Sequence, residues 1–285
     1  MATNNSNAQS NDHLELIIGI PEEWKNFRQR HGRFLERFQN LEAALNTAFV
    51  RIIEKPNNLL DRIIFLSGRL CAEEFNEIYL LCGNGYGVAA LKLVRGMYER
   101  TVTARYLSTH PEEAENFLDF HWVSQRKLMK AIDETFGPEP LSQEKKEEVE
   151  QKFQAVRERF TVTDCKECET TRLNYTWSKL DFVSMAKKAG EVGELIVPGY
   201  YLPMKEIHST IDAIFTRLDS EAKGLMFDGG PQRKRADDAM ITAHNLILNN
   251  LELQKDYFKL TSLEEPLAKC LEDFMAIWSS SAATA

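Results

Sequence analysis

Apolar positions along this chain recur mostly at three- and four-residue steps, the period of a helix face, and two-residue alternation of β-branched residues is scarce. The pattern predicts helices over 21–40, 41–54, 58–82, 86–109, 111–136, 141–160, 178–189, 203–220, 233–257 and 263–278. Several of them carry end signals. Pro21 followed by Glu22 and Glu23 suits a first turn, and Pro111 with acids behind it opens another helix. "FGPEPLSQEKKEE" closes one helix and starts the next at Ser142, a capping residue type. "FDGGPQ" at 227–232 is a turn, and "CGNGYG" at 82–87 is a helix break in which Gly and Asn supply a left-handed residue. "TVTDCKECETTRLNYT", 161–176, has no clear period and is expected to be a loop.

Together these elements describe an all-α protein: a single multi-helix bundle over 16–278 with its core at 58–257, from which the highly charged helix 141–160 projects as an excursion. The polar ends, 1–15 and 279–285, are expected to be disordered.

The helix over 86–109 raises a chemical question. Arg95 and Glu99 lie four residues apart, and Val88, Leu91, Val102 and Tyr106 fall within roughly 40° of Arg95 on the same face. That is an ion pair set into an apolar stripe, expected to face the bundle interior. A solvated pair at this spacing is worth about 0.2–0.5 kcal/mol. A buried one must overcome several kcal/mol of desolvation per ion, so it persists where further hydrogen bonds satisfy it or where a site uses it. In an interior setting, loss of Glu99 would strand Arg95 at a cost of about 3–5 kcal/mol.

Composition narrows the classes. A formal charge of −8 argues against a broadly basic nucleic-acid surface, although a local patch could still hold RNA. The densest basic cluster, "PQRKRADD" at 231–238, reads as a solvated turn. No apolar run approaches 18 residues, so no membrane span is expected. The first residues have neither a basic nor an apolar signal region, which makes the cytoplasm the expected location. Five cysteines imply no disulfide framework. Cys71, Cys82 and Cys270 read as small core residues, and Cys165 and Cys168 form a lone C-x-x-C with no second ligand pair for zinc.

Three histidines, His121, His208 and His244, fall on apolar helix faces. Di-iron bundles use Glu-x-x-His on two helices. That spacing does not occur here, and Glu115 lies six residues before His121, so no metal or other cofactor is expected. The chain also lacks G-x-S-x-G, a Walker loop and a dinucleotide fingerprint.

"GYGVAALKLVRGMYERTVTARYL", followed by "HPEEAENFLDFHWVSQRKLMKAI" and later by "PGYYLPMKEIHST", resembles a family of bacterial all-helical proteins classed as the domain of unknown function numbered 5677. The resemblance covers roughly 70–270 and implies roles for Arg95, Glu99 and His208. "RYLSTH" is similar to the signature of the HEPN class of helical ribonucleases and toxins, an arginine and a histidine separated by four to six residues, here Arg105 and His110. Tyr106 stands where that signature usually has a polar residue. On one continuous helix Arg105 and His110 would be about 140° apart, so they converge only if His110, which precedes Pro111, leaves the helix. This resemblance implies a metal-independent endoribonuclease, a toxin or phage-defence effector, in which histidine handles a proton of the ribose 2′-hydroxyl and arginine steadies the phosphate. RNA is the partner this reading implies; a partner protein or a second copy of the chain are the other expected partners. A non-catalytic helical module that anchors a ligand or partner on Arg95 and Glu99 is the alternative reading, and a metal-binding bundle a further one.

Overall fold

The computed structural model describes residues 20–50, 58–165, 170–208, 211–218 and 226–278. The proposed disordered ends, 1–15 and 279–285, lie outside them. Helix α1 spans Pro21–Arg30, α2 Gly32–Phe49, α3 Leu59–Gly83, α4 Gly87–Thr109, α5 Ala114–Phe136 and α6 Gln143–Val156. After a short hairpin come α7 Phe182–Lys188, α8 Leu202–Ile207, α9 Ile211–Phe215, α10 Arg233–Phe258 and α11 Glu264–Trp278. The protein is all-α apart from that hairpin, among the described residues.

Three long helices, α3, α4 and α10, make the centre. In α3 the buried residues Ile64, Cys71, Phe75, Ile78 and Cys82 recur at helical steps and define one inward face. Its start is fixed by the Asn58 side chain, which accepts from the Asp61 N–H at 2.8 Å. α4 is buried around most of its circumference, with Ala90, Leu91, Val94, Met97, Tyr98, Val102, Ala104 and Leu107 all inaccessible. α10 meets both through Ala236, Ala239, Met240, Ala243, Leu246 and Ile247. A Cβ on Gly87 would lie 2.3 Å from the Ala236 backbone nitrogen, so only glycine lets the starts of α4 and α10 touch. α2 and α11 pack on each other and cover one side of this centre, while α1 lies against α3.

The excursion expected of 141–160 alone includes α5 as well as α6. They close over a small apolar cluster of their own, Val123, Phe153, Val156 and Phe160, flanked by Phe120, Trp122 and Leu173. Ser142 caps α6 as its residue type predicts, accepting from the Lys145 N–H at 3.3 Å.

The structure departs from the periodicity in five places. The first long helix breaks at His31, and the second ends at Phe49. The helix expected over 178–189 begins only at Phe182, where Asp181 caps it. The one expected over 203–220 is split into α8 and α9. The loop expected at 161–176 instead contains an antiparallel hairpin, β1 Thr161–Cys165 with β2 Thr170–Leu173, in which Val162 faces Arg172. Its β-branched residues, Thr161, Val162, Thr163, Thr170 and Thr171, favour strand, and Leu173 anchors it on the small cluster. Cys168 and the Cys165 side chain lie outside the described residues, so the C-x-x-C expectation stands apart from the structure.

Gly87→Ala should destabilise the protein by at least about 1–3 kcal/mol, because the clash is with backbone that cannot rotate away. Gly32→Ala, where a Cβ would meet nothing within 4 Å, should be neutral or slightly stabilising. Urea titrations of the two variants check this; equal midpoints would refute the close-approach argument.

Candidate functional site

α4 is covered by α3 and α10 on most of its surface, and the remaining strip carries Arg95 and Glu99. What lies over that strip is short and irregular. α7 is followed by a 3-10 stretch, Gly190–Leu195, then a π turn, Val197–Tyr201, and α8. Gly199 makes the turn fit, since a Cβ there would sit 2.7 Å from the ring of buried Tyr98. Tyr98 also donates its hydroxyl to the Gly193 carbonyl at 3.4 Å. With the turn seated on Tyr98, Tyr200 comes over α4. Its ring stacks on Phe182 at 4.9 Å between centroids, and the Arg95 guanidinium carbon lies 4.6 Å from its centre.

Arg95 is therefore held by three groups. Its Nε donates to Glu99 Oε1 at 2.8 Å, its Nη2 to the Tyr200 hydroxyl at 3.5 Å, and its Nη1 to His208 Nε2 at 3.5 Å. Because a guanidinium can only donate, Nε2 is the lone-pair nitrogen of His208 in this geometry. The sequence-derived trio of Arg95, Glu99 and His208 is thus brought together, with Tyr200 added.

The setting differs from the expected one. Arg95 retains 19% of its side-chain exposure and Glu99 41%, so the pair sits at the protein surface rather than facing the interior. Leu91, Val102 and Tyr106 on the same stripe are buried; the thin cover of 182–207 does not extend over the Glu99 carboxylate. His208 also leaves the interior. α8 stops at Ile207, and His208 takes an extended conformation, φ −85° and ψ 149°, at an exposed position. The break removes it from the face that a continuous helix would share with Ile211 and Phe215, both exposed. Tyr200 is not marked by helical spacing; its only signal is the aromatic pair in "PGYY".

Arg105 and His110 turn to different partners. Arg105 reaches α10, where Nη2 donates to the Asn249 carbonyl at 3.0 Å and to the Glu252 carboxylate at 2.5 Å. His110 does leave the helix, with φ −129° and ψ 63°, but its ring folds back on Tyr106, 4.1 Å away and nearly parallel. Its Nδ1 lies 3.0 Å from the Tyr106 carbonyl and 2.9 Å from the Thr109 hydroxyl. No hydrogen bond or ring contact joins Arg105 to His110 among the described residues.

Two further expectations change. His121 is exposed, because the outer part of α5 buries only a narrow face around Val123. The basic cluster at 231–238 is not a solvated turn. Arg233 holds the buried Glu23 with two bonds, at 2.6 and 3.0 Å, and Arg235 reaches the buried Glu206 of α8 at 3.5 Å. The Arg233 hydrogen bond keeps the Glu23 carboxyl below its ordinary value. Cys71, Cys82 and Cys270 are buried as expected, and burial pushes the Cys71 thiol up to about 12. Among the described residues no three His, Cys, Asp or Glu side chains are grouped to hold a metal, and no helix is long and apolar enough to cross a membrane.

The profile of a family of unknown function, DUF5677, matches residues 61–225, more than half of the chain, and the chain belongs to that family. No curated protein and no solved structure matches it. The matched segment contains Arg95, Glu99, Tyr200 and His208. It also contains Arg105 and His110, whose HEPN-like pairing the geometry does not build.

With Glu99 half in water, Glu99→Ala leaves Arg95 with Tyr200, His208 and solvent. The expected cost is about 0.2–1 kcal/mol, the range of exposed pairs, in place of the 3–5 kcal/mol of an interior one. Thermal melts of the variant decide between the two ranges.

His244 is inward as predicted, 2% exposed, with Trp278 Nε1 donating to its Nδ1 at 3.1 Å. Burial pushes its imidazole from 6.5 down to about 4, against the opposing charge of Asp273. The folded protein thus binds this proton less tightly than the unfolded chain does. His244 contributes its full share of stability above pH 6.5, and loses it as pH falls toward about 4. At about 1.4 kcal/mol per unit, that is on the order of 3 kcal/mol. His244→Asn keeps an acceptor for Trp278 and removes the titration, so its urea midpoint should vary less with pH across this window than that of the wild type. Parallel pH profiles would refute the assignment.

Proposed function

We propose that Arg95, Glu99, Tyr200 and His208 form a phosphate-recognising site at which the protein cleaves RNA without a metal. The observation that carries this reading is the guanidinium of Arg95 within 3.5 Å of an imidazole lone pair, at a surface a polymer can reach. The chemistry is that of the helical HEPN-class ribonucleases, carried by Arg95 and His208 rather than by Arg105 and His110. As RNA binds, Arg95 Nη1 turns from His208 to the phosphate; the freed Nε2 takes the proton of a ribose 2′-hydroxyl, whose oxygen bonds to phosphorus while the bond to the 5′-oxygen breaks, and that oxygen takes a proton from solvent. The products are a 2′,3′-cyclic phosphate and a free 5′-hydroxyl. Arg95 stabilises the charge developing on the phosphoryl oxygens. Glu99 and Tyr200 are positioning residues, fixing the tilt and plane of the guanidinium.

A toxin or phage-defence role in the cytoplasm accords with such an activity. With a net charge of −8, RNA must be held by local contacts rather than by the field of the whole protein. One feature favours a second reading, a non-catalytic module. Arg95 already carries a carboxylate partner, Glu99, which a carboxylate or phosphate on a ligand or partner protein could replace without any bond being broken.

The test is incubation of a mixed-sequence RNA oligonucleotide with the full chain in EDTA. Wild type should produce cyclic-phosphate ends, His208→Ala should lose about 10²–10⁴ of the rate, and His110→Ala should retain it. Intact RNA with wild type would overturn the nuclease reading, and binding of that RNA dependent on Arg95 would then establish the module.

A further inference from the structure

The short elements over α4 also meet α10, and a pocket of about 200 Å³ lies where the three come together. It uses none of the four residues of the Arg95 cluster. Its apolar walls are Leu91 of α4 and, from the cover, Leu195, Pro198 and Leu202. α10 supplies the remaining side with Asp238, Ile241, Thr242 and Asn245. These four recur at three- and four-residue steps and share one helix face. Asp238 and Asn245 stand two turns apart, about 10 Å along the axis, so a polar residue marks each end of an apolar middle.

Size narrows the ligand first. The pocket is smaller than the roughly 300–1,000 Å³ of drug-sized ligands. It exceeds the roughly 150 Å³ of an apolar cavity that takes up benzene, so one ring with a short chain fits.

The two ends narrow it further. Among the described residues no hydrogen bond reaches the Asp238 carboxylate, and its ion pair with Arg235 Nη1 is loose, at 3.9 Å. Arg235 is shared with the buried Glu206, 3.5 Å away. Burial raises the Asp238 carboxyl above its ordinary value, outweighing the charges of Arg235 and Lys234. This carboxylate is thus under-compensated where it stands, and a cation bringing N–H donors relieves it. The Thr242 hydroxyl does not serve, since it donates to the Asp238 backbone carbonyl at 2.8 Å. At the other end Asn245 Oδ1 accepts from Asn249 Nδ2 at 2.8 Å. Asn245 Nδ2, a donor, has no partner among the described residues, and it calls for an acceptor.

We propose that this pocket binds a small primary amine built on one apolar ring, with a hydroxyl at the end opposite the ammonium. The ammonium donates to Asp238, the ring lies between Ile241 and the leucines of the opposite wall, and the hydroxyl oxygen accepts from Asn245 Nδ2. The site is separate from the Arg95 cluster and its test uses no RNA, so either proposal can fail without the other.

Isothermal titration of the full chain tests it, with tyramine as the probe. Tyrosol is the neutral control, para-hydroxyphenylacetate the anionic one, and phenethylamine lacks the hydroxyl. Tyramine should bind, with tyrosol and para-hydroxyphenylacetate weaker by about tenfold or more, as loss of a charge-assisted bond implies. Asp238→Asn, isosteric and at a partly exposed position, should bring tyramine down to the level of tyrosol. Asn245→Ala should weaken tyramine by about threefold or more and phenethylamine by less. If Asp238→Asn does not fold, the comparison of tyramine with tyrosol on the wild type carries the charge test alone. Failure of tyramine to bind, either control binding as tightly, or unchanged tyramine affinity in either folded variant would overturn the proposal.

Discussion

The close packing of α4 against α10 is the constraint from which the rest follows. Where the two helices start there is no room for a single methyl group between Gly87 and the Ala236 backbone. Further along, Asn250 Nδ2 donates to Thr101 Oγ1 at 2.7 Å, in surroundings from which water is excluded. Gln254 Nε2 donates to the Ile64 carbonyl at 2.9 Å, tying α10 to α3 as well. Buried polar contacts of this kind fix register, because sliding one helix by a turn would leave each of these groups unpaired. With α4 locked on two sides, its Arg100 and Arg105 pair with Glu74 of α3 and Glu252 of α10, and one strip is left under the short elements. Arg95 and Glu99 occupy that strip.

Such a placement has energetic consequences. A fully buried pair would face a desolvation cost that its mutual attraction rarely exceeds, and a fully solvated one would leave the guanidinium free to reorient. Arg95 falls between these limits. Tyr200 removes water from part of the guanidinium and Glu99 sets its tilt, while the carboxylate keeps contact with solvent. The short elements over α4 make this compromise attainable, because a long helix in their place would have covered both residues. Gly199 lets the π turn lie on Tyr98, and π turns inside helical segments recur at functional sites.

The long helices are legible because their buried positions recur at helical steps. α3, α4, α5, α10 and α11 lie within a few residues of where periodicity puts them. Periodicity reports which positions share a face, but not what covers that face, and this is why Arg95 and Glu99 were paired correctly yet set too deep. At His208 and His31 the failure had another source. Both sit where a helix stops, and the apolar spacing continues across each break, so the pattern reads through it. The hairpin at 161–173 was hidden by shortness: four or five residues of β-branched character do not outweigh their surroundings until Leu173 finds the cluster beneath α5 and α6. Long-range partners such as Glu252 for Arg105 leave no trace in local spacing at all.

The first turns of α10 tie three separate parts of the fold together. Within five residues Arg233 binds Glu23 of α1, Arg235 reaches Glu206 of α8, and Asp237 binds His31 at the α1–α2 junction. Each of these carboxylates or imidazoles is buried at its own end, so each contact is screened less than an ordinary surface pair would be. Glu206 lies two residues before His208, which makes its hold on α10 part of what brings His208 to Arg95. One short stretch of charged helix therefore supports the geometry of both the Arg95 cluster and the α1–α2 junction. A dense run of alternating charge in such a sequence marks a junction between elements, and its formal net charge says little about what it does.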